Sequence, residues 1–254
     1  MGGLEADPLG MVLYGMSGIG KTSFAAEFSD VAFIVDPQEK GINDLLKFGQ
    51  CPKPLTIEVA DGWLHLLKIS EVIANRRDVQ TVVYDSMTGL QQLCHNYHCK
   101  TYYNDDWTKD GFYAYQSGPK NAAQKDWPEL IGLWEAIRES GKQIIIIGHS
   151  QIKTFKNPDG DDYEKYIPYL EKEAWSAVHR WAPSVIFYKS QVDTMKVGGR
   201  HKANEDSMKR LLCTVQGATY DAKNRYGLEP VILAGNSNRE AYDAFMAAYH
   251  KAGG

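Results

Sequence analysis

The sequence predicts an α/β fold with a mainly parallel central sheet, helices on both faces and a C-terminal antiparallel hairpin extension. Three observations lead to this prediction. Short, continuously apolar runs alternate with amphipathic segments, as expected of parallel strands that are buried between helices. A glycine-rich loop joins the first apolar run to the first amphipathic segment. In the last third of the chain, two strand-like runs flank a polar stretch, which is typical of a hairpin.

The parallel part of the sheet is predicted from four apolar runs. They are MVLYG at 11–15, VAFIVD at 31–36, TVVYD at 81–85 and QIIIIGH at 143–149. Apolar residues at helical spacing predict the helices between these strands. These helices cover 21–30, 62–77 and 127–140. Pro128 in the first turn and Gly141 just after the last turn support the third of them.

The C-terminal third changes character. SVIFYKSQVDTMKV and MKRLLCTVQG flank GGRHKANEDS, which predicts a long antiparallel hairpin. PVILAGN adds a short strand, and a helix capped by Asn236 or Ser237 is expected over 237–252. The polar, aromatic stretches 100–126 and 153–172 are expected to be functional or mobile loops. We expect one domain over 1–254, with a core at about 8–235.

The composition excludes several classes of protein. A chain of 254 residues that is 43% hydrophobic can bury a large core. No apolar run approaches the roughly 20 residues that span a bilayer, and the N-terminus lacks signal-peptide features. We therefore expect a soluble, cytoplasmic protein with no membrane partner. A net charge of −4 argues against coating nucleic acid through bulk charge. The four cysteines are too scattered for a disulfide scaffold.

The loop GMSGIGKT at 15–22 carries the strongest chemical signal. Glycines let backbone N–H groups converge on a phosphate at the positive end of a helix. Lys21 is predicted to reach the β- and γ-phosphates of ATP, and the Thr22 hydroxyl to ligate Mg²⁺. A chance glycine turn is less favoured, because the whole pattern lies between a strand and a helix. The predicted ATP contacts are Gly15, Met16, Ser17, Gly18, Ile19, Gly20, Lys21, Thr22 and Ser23.

ATP hydrolysis also requires acidic groups at the ends of neighbouring strands. Asp85 ends TVVYD and is the predicted Walker B carboxylate, which holds Mg²⁺ through water. The turn DPQEKG offers Glu39 as the residue that orients or deprotonates water, with Gln38 left open as the alternative. After the fourth strand, either His149 or Gln151 could sense the γ-phosphate.

Together, GMSGIGKT, the acidic turn, YDS and HSQIK resemble the RecA-like P-loop NTPase core of bacterial recombinases and ring helicases. TYDAKNRYGLEP resembles the paired basic motif of those families. The resemblance implies that Lys223 and Arg225 reach across a subunit interface to the neighbour's ATP. It also implies that Gln151 couples the nucleotide state to the loop that follows it.

Within that group, the chain resembles compact phage ATPases, including the Sak-type single-strand annealing proteins and related AAA-type nucleotide-binding proteins. The resemblance covers about 8–235 and includes DGDDYEKYIPYLEKEAWSAVHRWAPSVIFY. It implies a homo-oligomer, as a ring or a filament, that binds ATP, Mg²⁺ and single-stranded DNA. A single-strand DNA-binding protein is a further implied partner, and the host cytoplasm is the implied location.

The resemblance implies that DNA binds the loops after the third and fourth core strands. Aromatic residues interleaved with lysines suit base stacking and phosphate contacts. In 100–126 these are Lys100, Tyr102, Tyr103, Lys109, Phe112, Tyr113, Tyr115 and Lys120. Further candidates are Lys153 and Lys156 in the second loop and Arg200 and Lys202 in the hairpin. A lid, a subunit interface or a solvated hairpin tip explains the same composition.

The segment CHNYHC at 94–99 is a candidate zinc site. Cys94 with His98, or His95 with Cys99, has helical i, i+4 spacing, so either pair could contact zinc. Two ligands do not close a site, and ordinary packing on a helix is the favoured interpretation.

The sequence thus supports an oligomeric, Mg²⁺-dependent ATPase that acts on single-stranded DNA in phage recombination or replication, by annealing or strand exchange. Oligomerisation or DNA is expected to activate it. The alternative is a nucleotide-switched protein-interaction or remodelling ATPase that does not bind DNA, which the net negative charge favours. A small-molecule kinase is a third hypothesis, in which the basic motif at Lys223 and Arg225 has no evident use.

Overall fold

The fold was analysed in a computed structural model that describes residues 8–59, 61–197, 200–204 and 208–253. For 194–197 and 200–203 it describes the backbone only. The strands in these ranges are β1 (Gly10–Gly15), β2 (Val31–Val35), β3 (Leu55–Glu58), β4 (Thr81–Asp85), β5 (Gln143–Phe155), β6 (Tyr163–Pro168), β7 (Ser184–Gln191), β8 (Thr194–Val197), β9 (Arg200–Ala203), β10 (Lys209–Cys213), β11 (Lys223–Asn224) and β12 (Val231–Leu233). The α-helices are α1 (Lys21–Ala25), α2 (Gly41–Lys47), α3 (Trp63–Ala74), α4 (Met87–Tyr102), α5 (Ser117–Lys125), α6 (Trp127–Glu139), α7 (Lys172–Trp181) and α8 (Asn238–Lys251).

The central sheet has the strand order β12-β10-β7-β1-β5-β4-β2-β3. Its strands from β7 to β3 pair in parallel, whereas β10 and β12 continue the sheet in antiparallel pairing. The register places Gly15 of β1 beside His149 of β5 and Tyr188 of β7. The predicted fold class is confirmed: a mainly parallel α/β sheet with a C-terminal antiparallel extension.

Residues of β1 alternate between two apolar cores, one on each face of the sheet. Val12 and Tyr14 belong to the core that contains the tryptophans of α3 and α6. Met11 and Leu13 face the other core, which α1 and α8 cover. Because successive side chains of a strand point to opposite faces, a strand covered on both sides must be apolar at every position. This requirement explains the continuous apolar runs of the sequence.

The stretch 100–126 is not the long loop that the sequence predicted. It contains the end of α4, a short 3-10 turn at 114–116 and the helix α5. Ala122 and Ala123 of α5 are buried against the core, and Phe112 is buried under the rings of Tyr103 and Trp107. The polar composition concealed a helix because only a narrow stripe of small residues faces the core.

The stretch 153–172 also differs from the prediction. β5 continues beyond the sheet to Phe155 and pairs with β6, so that the two strands form an antiparallel ribbon. The helix α7 then begins at Lys172. The strand β3 was not predicted, because LTIE is short and only half-buried at the sheet edge. The first helix, α1, ends at Ala25 and is shorter than the predicted 21–30.

The predicted hairpin is present. β7 and β10 pair antiparallel from Phe187 with Cys213 to Gln191 with Lys209, and β8 pairs with β9 beyond them. The C-terminal helix is capped as the sequence indicated. Ser237 Oγ accepts a hydrogen bond from the Glu240 amide at 3.1 Å, and Glu240 accepts one from the Asn236 amide at 2.8 Å. Ser237 is the N-cap residue, and its bond with the Glu240 amide is one half of a capping box, whereas the Glu240 side chain bonds the residue before the cap.

Within the described residues, no helix has both the length and the apolar character that a membrane crossing requires.

Phe245 provides a test of whether α8 belongs to the same cooperative unit as the sheet. Its ring is fully buried and lies 5.7 Å from that of Phe24. We expect Phe245→Ala to lower the free energy of unfolding by about 3–5 kcal/mol, because the truncation leaves a cavity between α8 and α1. Denaturant unfolding followed by circular dichroism measures this change. The control Asp243→Ala alters an exposed residue of the same helix and should change stability by about 0.5 kcal/mol or less. An unchanged main transition in Phe245→Ala would mean that α8 folds separately.

Candidate active site

The phosphate-binding loop connects β1 to α1 in a conformation that glycine favours. Gly18 and Gly20 have φ angles of 78° and 104°, in the left-handed region that side chains with a Cβ avoid. Gly20 precedes the first residue of α1, so the loop leads directly to the N-terminus of this helix. Backbone N–H groups at a helix N-terminus are available to an anion. The local geometry therefore fits a nucleotide phosphate.

Lys21 folds back onto the loop. Its Nζ donates to the carbonyl oxygens of Gly15 at 3.0 Å and Met16 at 2.8 Å. Burial lowers the pKa of Lys21 to about 8, although the charges of Asp85 and Glu39 act in the opposite direction. The ammonium group is thus held beside the loop and has acidic groups near it. This is the position in which a lysine can neutralise phosphate oxygens.

Thr22 and Asp85 are in direct contact. Thr22 Oγ1 donates to Asp85 Oδ2 at 2.8 Å, although β1 and β4 are separated by β5. Burial raises the pKa of Asp85 to about 6, whereas the hydrogen bond from Thr22 lowers it. A hydroxyl and a carboxylate oxygen are the hard ligands that Mg²⁺ prefers. The two residues fit the predicted Mg²⁺ site, in which bound Mg²⁺ would neutralise charge on the phosphates.

Glu39 lies at the same edge of the sheet. Its Oε1 accepts a hydrogen bond from Ser86 Oγ at 2.9 Å and lies 3.3 Å from His149 Nε2. The hydrogen bond with His149 lowers the pKa of Glu39, although burial opposes this effect. A carboxylate that stays ionised and is fixed by two partners can orient a water molecule.

A cavity of about 480 Å³ unites these groups. It is lined by the loop together with Glu39, Asp85 and His149. Gln38, the alternative to Glu39, lines an adjacent cavity instead and donates its backbone N–H to Asp36. The geometry therefore favours Glu39 over Gln38 as the residue next to the nucleotide.

Arg210 and Asn238 are among the lining residues of this cavity that the sequence did not predict as nucleotide contacts. Arg210 of β10 and Asn238 of α8 line it from the side opposite Asp85 in the sheet. No local motif marks them, because the antiparallel pairing of β10 with β7 and the packing of α8 bring them to the loop. His149 was predicted at this edge of the sheet, whereas Ser86 entered the sequence analysis only as part of the YDS motif. Both side chains contact Glu39 in the structure.

Gln151 lies outside the cavity. Its Nε2 donates to the Pro168 carbonyl at 3.1 Å, at the base of the ribbon formed by β5 and β6. His149, two residues earlier, is the residue that contacts Glu39. A direct contact between Gln151 and the γ-phosphate stays a prediction.

Lys223 and Arg225 do not line the cavity of their own chain. Lys223 Nζ donates to the carbonyls of His179 at 2.5 Å and Arg180 at 3.3 Å, near the end of α7. β11 pairs with the start of β7, where Lys223 lies opposite Val185. Lys223 and Arg225 therefore lie toward the amino ends of the parallel strands, away from the carboxyl ends that carry the cavity. Arg225 is exposed, and the described residues include no hydrogen-bond or ion-pair partner for its side chain.

The predicted DNA contacts lie in different environments. Lys153 is exposed on the ribbon, whereas Lys156 forms an ion pair with Asp162. Arg200 and Lys202 lie on β9, and their side chains are outside the described part of the chain. Phe112 is buried, so it cannot stack on a base in this conformation, whereas Tyr115 is fully exposed.

The zinc hypothesis receives no support from the geometry. Among the described residues, no three or more His, Cys, Asp or Glu side chains are placed to hold a metal ion. His98 instead pairs with the buried Asp126, at 2.6 Å between Nδ1 and Oδ2. Burial lowers the pKa of His95 to about 4. Packing on α4 accounts for these side chains.

A protein-family model described as an AAA domain matches residues 7–226. The chain belongs to this AAA domain family. The match runs from before β1 to beyond β11 and includes the loop, Asp85, and both Lys223 and Arg225. Membership of this family, together with the loop geometry, supports nucleotide binding and hydrolysis.

Other comparisons add little to the AAA assignment. No curated protein matches the chain. Among solved structures, the flagellar accessory protein FlaH from Methanocaldococcus jannaschii is similar at 15% identity, with a TM-score of 0.41. The similarity covers 88% of this chain and 83% of that one. The resemblance to Sak-type phage proteins stays a prediction.

The site geometry separates binding from hydrolysis. We expect Lys21→Ala to weaken ADP and ATP binding about 10- to 100-fold, because it removes a charge-assisted contact with phosphate. Glu39→Gln should bind ATP normally and release phosphate about 100-fold more slowly, because it removes the base. Calorimetry and a phosphate-release assay measure the two effects. Lys47→Ala, at an exposed residue of α2, serves as the control for Lys21. Normal hydrolysis by Glu39→Gln would move the catalytic role to another residue.

Proposed function

We propose that this AAA-family protein is an oligomeric, Mg²⁺-dependent ATPase with a RecA-like core that acts on single-stranded DNA. The reaction is transfer of the γ-phosphoryl group of ATP to water. The biological role that the sequence resemblance suggests is annealing or strand exchange in phage recombination or replication. The implied partners are other copies of the chain, single-stranded DNA and a single-strand DNA-binding protein.

The contact between Thr22 and Asp85, with Glu39 in the same cavity, is the observation that supports ATP hydrolysis best. Each group needed for phosphoryl transfer to water has a candidate there. Lys21 and the loop hold phosphates, Thr22 and Asp85 suit Mg²⁺, and Glu39 suits the attacking water. A kinase is less favoured, because the basic motif at Lys223 and Arg225 has no evident use in a kinase.

The position of Arg225 favours an oligomeric site. An exposed arginine without a partner among the described residues is available to a neighbouring subunit. Guanidinium groups stabilise the charge that develops on transferring phosphoryl groups. Lys223 is engaged with the carbonyls of α7, so we assign the trans-acting role first to Arg225 and a supporting role to Lys223.

The ribbon formed by β5 and β6 favours coupling to DNA. β5 carries His149, which contacts Glu39, and continues without interruption to the exposed Lys153. Exposed apolar side chains, Ile152 and Phe155, accompany this lysine. Lysines beside aromatic rings suit single-stranded DNA, because they neutralise phosphates while bases stack.

A second candidate function is a nucleotide-switched ATPase that remodels a protein partner. The observation that favours it is the pairing of Lys156 with Asp162, which reduces the positive charge of the ribbon. The net charge of −4 also favours a protein partner over DNA.

Mixed subunits test the shared site. Lys21→Ala removes the phosphate side of a site, and Arg225→Ala removes the proposed contribution of the neighbour. Each variant alone is expected to be nearly inactive. An equimolar mixture should recover about a quarter of the wild-type phosphate release, because a randomly mixed interface is intact in one case of four. Arg180→Ala, at a nearby exposed residue of α7, is the matched control and should be active alone. If the mixture stays as inactive as its components, Arg225 does not act in trans.

Salt dependence tests the DNA interface. We expect oligo(dT) to bind and to stimulate ATP hydrolysis, with affinity falling as salt rises, because each neutralised phosphate releases counterions. Lys153→Ala should reduce the slope of log affinity against log salt by about 0.7, the value for one single-strand phosphate contact. Fluorescence anisotropy measures the slope, and Lys47→Ala, at an exposed residue of α2 outside the ribbon, should leave it unchanged. Absence of both binding and stimulation would favour the protein-remodelling function.

A further inference from the structure

Arg210 and Asn238 form a pair beside the phosphate-binding loop. Arg210 Nη1 donates to Asn238 Oδ1 at 3.2 Å, and both residues line the nucleotide cavity. A β-carbon placed on Gly20 would lie 2.7 Å from Asn238 Oδ1 and 3.6 Å from Arg210 Nη1. The pair therefore packs against the residue that immediately precedes α1.

The strand order places this pair at the end of the cavity opposite the Mg²⁺ site. From β10 to β4 the sheet passes through β7, β1 and β5, which makes four steps. Neighbouring strands lie about 4.8 Å apart, so the strands that carry Arg210 and Asp85 are roughly 19 Å apart. Because Thr22 and Asp85 mark the γ-phosphate end, the β10 side faces the nucleoside end of a bound nucleotide.

The contacts of Arg210 hold its side chain in place without using all of its donors. Nε donates to the Gly235 carbonyl at 3.1 Å, and Nη2 lies 3.5 Å from that of Ala234. A guanidinium has five N–H groups, and its bonds to described residues account for three. The ring of Tyr188 lies 6.0 Å from the guanidinium carbon. A fixed, planar cation with spare donors at a cavity wall suits contact with an aromatic ring.

Asn238 has complementary chemistry. Its carbonyl oxygen is engaged by Arg210, which leaves its amide nitrogen as the donor. It is also the first residue of α8, where Ser237 caps the helix and fixes the backbone. An amide donor held in place beside a planar cation can bond a ring nitrogen or carbonyl of a base.

We propose that Arg210 and Asn238 form the nucleoside end of the nucleotide site: the guanidinium packs on the base, and the Asn238 amide hydrogen-bonds its edge. The proposal rests on the proposed nucleotide-binding function and adds the residues that read the nucleoside. The phosphates already have Lys21 and the N-terminus of α1 as positive groups, so the planar face of Arg210 is available to the base.

Two probes separate a nucleoside contact from a phosphate contact. ADP has both a nucleoside and phosphates, whereas inorganic tripolyphosphate has phosphates only. With Mg²⁺ present, we expect Arg210→Ala to weaken ADP binding about tenfold and to leave tripolyphosphate binding within about twofold. Asn238→Ala should narrow the affinity difference between ADP and GDP. Arg239→Ala, at the next residue of α8, is the control, because its ion pairs with Asp243 and Glu27 lie outside the cavity.

Arg210→Lys guards against a purely structural effect of the alanine variant, since the lysine keeps the charge but loses the planar face. We expect it to lose ADP affinity as Arg210→Ala does, with its melting temperature recorded in parallel. The measurement is isothermal titration calorimetry below the melting temperature of each variant. The proposal would be overturned if Arg210→Ala weakened the binding of ADP and of tripolyphosphate equally. It would also be overturned if Arg210→Ala and Arg210→Lys both bound ADP as tightly as the wild type. If wild-type protein binds neither probe, the nucleotide-binding function itself fails, whereas ADP binding retained by Arg210→Ala refutes only the nucleoside contact.

Discussion

The hydrogen bond from Thr22 to Asp85 is the interaction on which the site depends. It joins the first turn of α1 to the end of β4 across an intervening strand, so it forms only if β1, β5 and β4 end at the same level. The buried position has an electrostatic cost. Burial lowers the pKa of Lys21 to about 8 and raises that of Asp85 to about 6, which disfavours both charged forms. An anionic phosphate and a cation would relieve these two penalties together, so burial favours the joint binding of nucleotide and Mg²⁺.

The strand order distributes the parts of the site along one edge of the sheet. On one side of the phosphate-binding loop, β4 supplies Asp85 and the turn after β2 supplies Glu39; on the other side, β10 supplies Arg210. The two apolar cores hold these strands in register from both faces, with α8 packed by Phe245 against α1. Stability and function are therefore linked, because movement of α8 would displace Asn238 and the nucleoside side of the cavity.

How much the sequence could predict depends on the range of the interactions involved. GMSGIGKT, TVVYD and the Ser237 cap are local patterns, and the structure places each of them as predicted. Arg210 could not be recognised in this way, because its position depends on the pairing of β10 with β7. The helix α5 was missed because its apolar stripe consists of small residues within a polar stretch. Phe112 was assigned to a DNA surface by its aromatic type, but its neighbours bury it.

The strand β5 gives a physical basis for communication between the nucleotide and the ribbon. His149 contacts Glu39, and Lys153 follows four residues later, about 13 Å along the same strand. The base of the ribbon is fixed by Gln151, which bonds the Pro168 carbonyl, and by the Tyr169 amide, which bonds the His149 carbonyl at 2.8 Å. A paired ribbon fixed at its base tilts as a unit, since bending it would break ladder hydrogen bonds. A displacement of His149 would therefore be transmitted to Lys153 by the whole ribbon, and the bond from Gln151 to the Pro168 carbonyl would keep the base of the ribbon rigid.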